Sequence, residues 1–403
     1  MKTASIICEY NPFHNGHKYQ LDKIKEEYGN DVCIVAVMSG NYTQRGDFAI
    51  ADKFTRAKIA VMEGVSLVLE LPFPYSMQSA EFFASSAIKI ITDAVNSDII
   101  SFGSECGDAS TLMRTACNMN SKEYQEVFEK LSRENKTSGH PTLCEAAYSA
   151  TFGKTSDCAV LREPNNLLAI EYIKAIEKSK KSIEIHTFKR AFASHNDALP
   201  ASGIYASASS IRELFQSGNV KKALTYLPEH SSEICSLACE AGDMPTNSNR
   251  LSNAILAFLR INPPTTNTAD SVGGIENRLR SCAVEAKDLN ELITLVSTKR
   301  YTNARIRRAI WNSYFGITSS DVRSLPNYTQ ILAMDERGRK KLKEMKKTST
   351  ISILTKPADY VYLPDSAKSQ AEISNRADLI FSLTKPAASS GNEFLRSTPY
   401  CKK

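Results

Sequence analysis

Nowhere in the 403 residues does a run approach the ~20 consecutive apolar residues that cross a bilayer. The opening Met1-Lys2-Thr3-Ala4-Ser5-Ile6-Ile7 leads into a short strand pattern rather than the apolar core of a signal peptide. Both absences point to a cytosolic, cytoplasmic chain with no membrane partner. The ten cysteines (8, 33, 106, 117, 144, 158, 235, 239, 282 and 401) have no paired spacing, and several sit in apolar runs such as Val32-Cys33-Ile34-Val35. They read as reduced, packed thiols. Cys235 and Cys239 can share a helix face, but no second Cys or His pair lies at zinc-finger spacing, so no metal centre is expected there. No internal repeat is found, and no segment marks a protein partner.

What is present is ample apolar material, 42% of the chain, and enough length for two or three domains. The net charge of +6 hides an asymmetry: residues 1–249 carry 25 Lys and Arg against 30 Asp and Glu, and residues 250–403 carry 25 against 14. Any basic partner surface belongs to the C-terminal part, with a solvated face as the alternative.

The first hundred residues alternate apolar runs with amphipathic stretches, the pattern of βαβ units. Strands are predicted at Ala4–Glu9, Val32–Met38, Ser66–Leu71 and Ile99–Phe102, with helices near 16–28, 53–63 and 78–93. A helical insertion follows at about 107–162, then a helix from Asn166 to about Lys178 and a strand at Ile183–Lys189. The expected fold class is α/β, a doubly wound parallel sheet with a largely helical C-terminal domain. A first domain is expected over 1–230. A basic, mostly helical domain over 231–403 would include helices near 275–298 and 302–314 and a small α/β portion with strands at Gln330–Met334 and Ile351–Leu354. The tail from Pro386 to Lys403 is expected to be mobile.

The sharpest chemical signal is the turn after the first strand, Tyr10-Asn11-Pro12-Phe13-His14-Asn15-Gly16-His17. Pro12 restricts the turn and Gly16 admits a ligand close to the backbone. The helix that follows presents unpaired N–H groups and a positive dipole end to an anion. A triphosphate suits that place. His14 and His17 can both donate to phosphate oxygens as charge develops in an in-line displacement, although two histidines this close can also be a metal half-site. Further on, Ser207-Ala208-Ser209-Ser210-Ile211-Arg212 puts hydroxyls at a helix start and an arginine one turn in, a second anion cradle or an ordinary helix cap.

His14-Asn15-Gly16-His17 resembles the HxGH signature of the nucleotidyltransferase superfamily related to class I aminoacyl-tRNA synthetases, and Ser207–Arg212 resembles that superfamily's ISSTxxR motif without its threonine. The resemblance extends to Glu9–His17, Met38–Gly46, Glu70-Leu71-Pro72, Phe102–Glu105, Pro164–Leu168 and Lys299–Thr302, which together resemble the bacterial tRNA(Met) cytidine acetate ligases. It implies a Rossmann-like domain that forms acetyl-adenylate from acetate and ATP. The acetyl group then passes to N4 of the wobble cytidine of elongator tRNA(Met).

By position it implies an ATP site comprising Ile7, Cys8, Glu9, Tyr10, Asn11, Pro12, Phe13, His14, Asn15, Gly16, His17, Lys18, Tyr19 and Gln20, with Gly103, Asn165, Arg190, Ser209 and Ser210. His14, His17 and Arg212 are the expected catalytic groups. Asn165 and Asn166 are interchangeable on sequence alone, as are Lys189 and Arg190. Magnesium is expected with ATP, although no carboxylate ligand stands out.

Arg45, in a polar loop after the second strand, either grips an acetate or phosphate or forms a surface salt bridge. Glu70 is expected to pair with Lys53 or Arg56, and Asp52 to cap a helix. Lys299, Arg300, Tyr301, Arg305 and Arg308 are expected to form an RNA-binding face, with Tyr301 able to stack and flanked by guanidinium groups that pair with phosphates. Two rival readings stay open: a small-molecule adenylyltransferase of coenzyme synthesis, and a non-catalytic RNA-binding protein with a nucleotide pocket.

Overall fold

The computed structural model describes residues 2–135, 139–190 and 205–387. Five strands run parallel: β1 (Thr3–Cys8), β2 (Cys33–Ser39), β3 (Leu67–Leu71), β4 (Ile99–Ser104) and β5 (Glu184–Lys189). Two more, β6 (Tyr328–Met334) and β7 (Ser352–Leu354), complete one sheet of order β5-β4-β1-β2-β3-β6-β7, with β6 antiparallel to β3. Each strand lies within about two residues of its expected bounds.

β2 shows why these runs become strands. Its sequence CIVAVMS is buried at every position, as a central strand covered on both faces must be. Val35 and Val37 pack with Leu67 and Leu69 on one side, and Ile34, Ala36 and Met38 with Ile6 and Val68 on the other.

The first three helices are α1 (Asn15–Tyr28), α2 (Lys53–Glu63) and α3 (Ala80–Ile90). Asp52 caps α2 as expected, its carboxylate accepting the Thr55 N–H at 2.9 Å. The insertion forms α4 (Ala109–Asn120), α5 (Lys122–Glu134), α6 (His140–Phe152) and α7 (Asp157–Val160), and leads into α8 (Pro164–Ser179). These helices share the apolar core on the Val35 and Val37 face with α3. On the opposite face, α1 and α2 pack with α9 (Ala208–Gln216). The chain leaves β1 toward β2 and β3, then returns to place β4 on the other side of β1. The strand order therefore reverses between β1 and β4, and such a crevice at the carboxyl ends of the strands is where open α/β sheets bind ligands.

The expected division near residue 230 does not follow the cores. Cys235 and Ala238 pack on the sheet with Ile6, and β6 and β7 extend that same sheet instead of forming an α/β portion of a second domain. The separate helical core lies between: Ser252–Ile261, Ile275–Glu285, Leu289–Val296 and Asn303–Phe315 gather around Trp311. Tyr42, Phe48 and Phe73, from loops after β2 and β3, plug into it, and the Phe48 and Trp311 rings lie 4.8 Å apart. This helical unit is thereby seated on the loops at the ligand-binding edge of the sheet. Residues 388–403, most of the tail expected to be mobile, lie outside the described residues. No described helix is long and apolar enough to cross a membrane.

Candidate active site

His14 closes the turn after β1 and caps α1. Its Nδ1 accepts the Gly16 N–H at 3.0 Å, and the Nδ1 of His17 accepts the N–H of His14 at 3.2 Å. A Cβ on residue 16 would lie 2.9 Å from His14 Cε1, so a side chain there would push against the ring. The two imidazoles stack at 3.8 Å with 25° between their planes. Because each Nδ1 accepts a backbone hydrogen, the single ring proton of each neutral imidazole is assigned to Nε2. Burial, followed by the charges of Arg190 and Arg212, depresses the His14 pKa to about 3; burial also holds His17 well below its ordinary value, followed by the charges of His14 and Arg190. The turn thus carries a pair of uncharged N–H donors at the positive end of a helix dipole.

Both rings line a cleft of about 1050 Å³ at the β1–β4 crossing. Ile7, Cys8, Glu9, Tyr10, Asn11, Gly16, Tyr19 and Gln20 contribute to its wall. Pro12, Phe13, Asn15 and Lys18 do not, which narrows the expected binding run. Phe13 packs into the core below, the Asn15 N–H donates to the Tyr226 carbonyl at 3.3 Å, and the Lys18 ammonium donates to the Glu63 carbonyl at 2.8 Å.

Gly103 and Arg190 also line the cleft. A Cβ at Gly103 would meet Arg190 Cγ at 3.0 Å, so the missing side chain is what lets Arg190 close over this strand end. The tertiary structure separates the interchangeable pairs. Asn166 is buried and its Oδ1 accepts the N–H groups of Glu105 and Cys106 at 2.9 and 3.2 Å, whereas Asn165 faces the cleft while donating from Nδ2 to Glu105 at 2.6 Å. Arg190, and not Lys189, lines the wall. Glu105 organises this corner by accepting the first amides of α8, a role that its place in the sequence did not reveal.

The serine motif is laced to the histidine turn. Ser207 caps α9 by accepting the Ser210 N–H at 3.1 Å, and Arg212 donates to the Asn11 carbonyl at 2.9 Å and to the Ser209 hydroxyl at 3.2 Å. Ser207, Ala208 and Arg212 form the wall, while Ser209 and Ser210 stand one step behind it, Ser209 at 3.2 Å from the Arg212 guanidinium and Ser210 at 2.9 Å from the Ser207 hydroxyl. The absence of the motif's threonine accordingly removes no group from the wall.

The loop carrying Arg45 is bolted from several directions. The Gln44 N–H donates to Glu9 at 2.8 Å, the Gln44 side chain donates to the Gln78 carbonyl at 3.1 Å, and Gly46 has φ +79° with Arg308 N only 2.8 Å from where a Cβ would stand. Buried Lys53 pairs with Glu70 at 3.0 Å and with Asp378 at 2.6 Å. Arg56 instead donates to the carbonyls of Glu9, Ser39, Gly40 and Ala51.

The expected RNA face is rearranged. Tyr301 is only 7% exposed, its hydroxyl donates to the Gly273 carbonyl at 2.7 Å, and the guanidinium groups of Arg300 and Arg305 lie 5.3 and 5.7 Å from its ring centre. Its ring is therefore packed rather than presented to a base. Arg308 is buried against Asp270 at 2.8 Å, and Arg305 donates to the carbonyls of Asp270 and Val272. Arg305, Arg308 and Asp270 reach the cleft wall, while Lys299 stays exposed.

A parallel sheet whose order reverses at β1, with an HxGH turn at that reversal and a serine–arginine cap facing it, defines a nucleotidyl transferase of the HIGH class. The model of that family, HIGH Nucleotidyl Transferase, matches residues 1–394. The tRNA(Met) cytidine acetate ligase of Caldanaerobacter subterraneus subsp. tengcongensis is 37% identical over 89% of this chain and 90% of its own length. That of Staphylococcus aureus is 36% identical over 86% and 87%. The crystal structure of Thermotoga maritima TmcAL bound with alpha-thio ATP superposes with a TM-score of 0.91 at 29% identity, covering 100% of both chains. The chain belongs to the tRNA(Met) cytidine acetate ligase family.

Proposed function

We propose that this protein uses ATP to join acetate to the wobble cytidine of elongator tRNA(Met). The observation that carries the reading is the pair of neutral Nε2–H donors of His14 and His17, held over a cleft that Arg190 and Arg212 also line. An acetate oxygen attacks the α-phosphorus, the bond to the bridging oxygen breaks, and pyrophosphate departs with the electron pair. The imidazoles and the α1 N-terminus stabilise the charge that grows on the phosphoryl oxygens, and Arg212 holds the leaving phosphates. Donors that are already neutral and oriented need no proton transfer to do this. The cytidine N4 amine then attacks the acyl carbon, AMP leaves, and the amine loses a proton. The base must be turned out of its anticodon stack to reach the cleft.

Magnesium is expected to arrive on the ATP phosphates. Among the described residues no three His, Cys, Asp or Glu side chains gather as a metal cage, and Glu9 and Glu105 are already occupied by backbone N–H groups. The exposed Lys299 and the basic segment around it are the proposed tRNA backbone contact, and the protein is proposed to work in the cytoplasm.

The test is incubation with ATP, labelled acetate and bacterial tRNA, followed by digestion to nucleosides. Label in N4-acetylcytidine is the expected result. AMP transfer to a small acceptor with no acetate in RNA would establish an adenylyltransferase instead, and ATP binding with no turnover would leave a binding protein.

A further inference from the structure

We infer that Arg45 is the residue that receives the acetate carboxylate, an inference that rests on the proposed ligase reaction. Four arginines of the neighbouring loops and helix carry charge toward this quarter of the cleft, and three of them are engaged. Arg307 pairs with Asp47 at 3.1 Å, Arg308 pairs with Asp270 at 2.8 Å, and Arg305 donates to the carbonyls of Asp270 and Val272 at 3.2 and 2.5 Å. Arg45 is exposed, lines the cleft, and makes no hydrogen bond or ion pair with any described residue. A guanidinium on a freely moving loop would lose much of its advantage to entropy, but this loop is held on both sides of Arg45 through Gln44, Gly46 and Asp47. The backbone that carries the charge is therefore held, and the charge itself is unspent.

Strand order decides which substrate meets it. Gly103, Asn165 and Arg190 lie on the β4 and β5 side of β1 and would take the adenosine end, while α1 and α9 present their N-termini and Arg212 to the phosphates. Arg45 follows β2, on the other flank of the histidine turn. In an in-line displacement the nucleophile enters opposite the leaving group, and the β2 flank is the side left to it. A planar guanidinium matches a carboxylate with two parallel N–H donors, which orients a small acid whose tail offers little binding of its own.

The measurement is acetate-dependent exchange of labelled pyrophosphate into ATP without tRNA, comparing the unaltered protein with Arg45→Ala and Arg45→Lys. Loss of a charge-assisted carboxylate contact should raise the acetate KM about 10- to 100-fold in Arg45→Ala and less in Arg45→Lys. The ATP KM, the tRNA Kd and the melting temperature should stay unchanged. An increase confined to the ATP KM would move Arg45 to the phosphates, and a weakened tRNA Kd with normal acetate kinetics would make it an RNA contact; either overturns the inference. Absence of acetate-dependent exchange in the unaltered protein would refute the proposed reaction itself.

Discussion

Two groups of arginines, in and beside the cleft, have opposite fates. Arg307 and Arg308 come from the basic stretch that dominates the charge count, yet the Asp47 and Asp270 carboxylates neutralise both. Arg45, Arg190 and Arg212 come from the net acidic part of the chain, and among the described residues none of them has a carboxylate within ion-pair distance. The difference teaches that positive charge in a sequence is not charge available to a ligand. The first group joins the helical unit to the sheet loops; the second lines the cleft.

The most deeply buried ion cluster should give the largest response. Lys53→Ala leaves Glu70 and Asp378 buried without their cation and should cost about 3–5 kcal/mol of stability, read from urea unfolding. A cost below about 1 kcal/mol would show that the cluster is not what fastens Asp378 to the sheet loops. On the available side, His14→Ala should slow acetyl-adenylate formation by about 10²–10³-fold with tRNA affinity intact. Equal loss of both in a folded protein would contradict the separation of the two sites.

Between these lies Arg308→Ala, which strands Asp270 and should cost about 1–3 kcal/mol while lowering both partial activities, unlike the selective effect expected of Arg45. Proton linkage at His14 comes next. The folded chain keeps this ring neutral down to about pH 3, whereas the unfolded chain takes up a proton near pH 6.5. Stability from this residue is thus complete above pH 6.5 and declines as pH falls toward 3, by up to about 1.4 kcal/mol per pH unit. The slope of unfolding free energy between pH 6.5 and 5 should be shallower in His14→Gln, and an equal slope would place the effect elsewhere. The smallest expected change is Lys299→Ala, with stability within about 0.5 kcal/mol of the parent and a reduction of about one in the salt dependence of tRNA binding.

Much of this was legible in the chain itself. Strand positions followed from apolar runs of β-branched residues, because a doubly covered strand tolerates little else, and the histidine turn announced itself by a strand, a glycine and a helix in succession. The apolar surroundings of Glu70 call for a buried cation, Lys53 or Arg56, and the fold selects Lys53. Other features were hidden because pairing between distant segments leaves no local period. Nothing in Tyr328–Met334 states that it lies antiparallel to β3, and the spacing of Tyr301, Arg305 and Arg308 describes a helix face without saying what covers it.

By itself, then, the sequence determined the βαβ frame, the histidine turn at its first crossing and the family to which the chain belongs, since each is written in residues close together in the chain. Only the tertiary structure decided that Asn165 rather than Asn166 faces the cleft, that Ser209 and Ser210 stand behind it, and which arginines keep their charge free. Those outcomes depend on carboxylates and carbonyls such as Glu105, Asp270 and Asn11, brought in from other loops and helix ends. Burial selects such partners because an ion without one is too costly to leave inside.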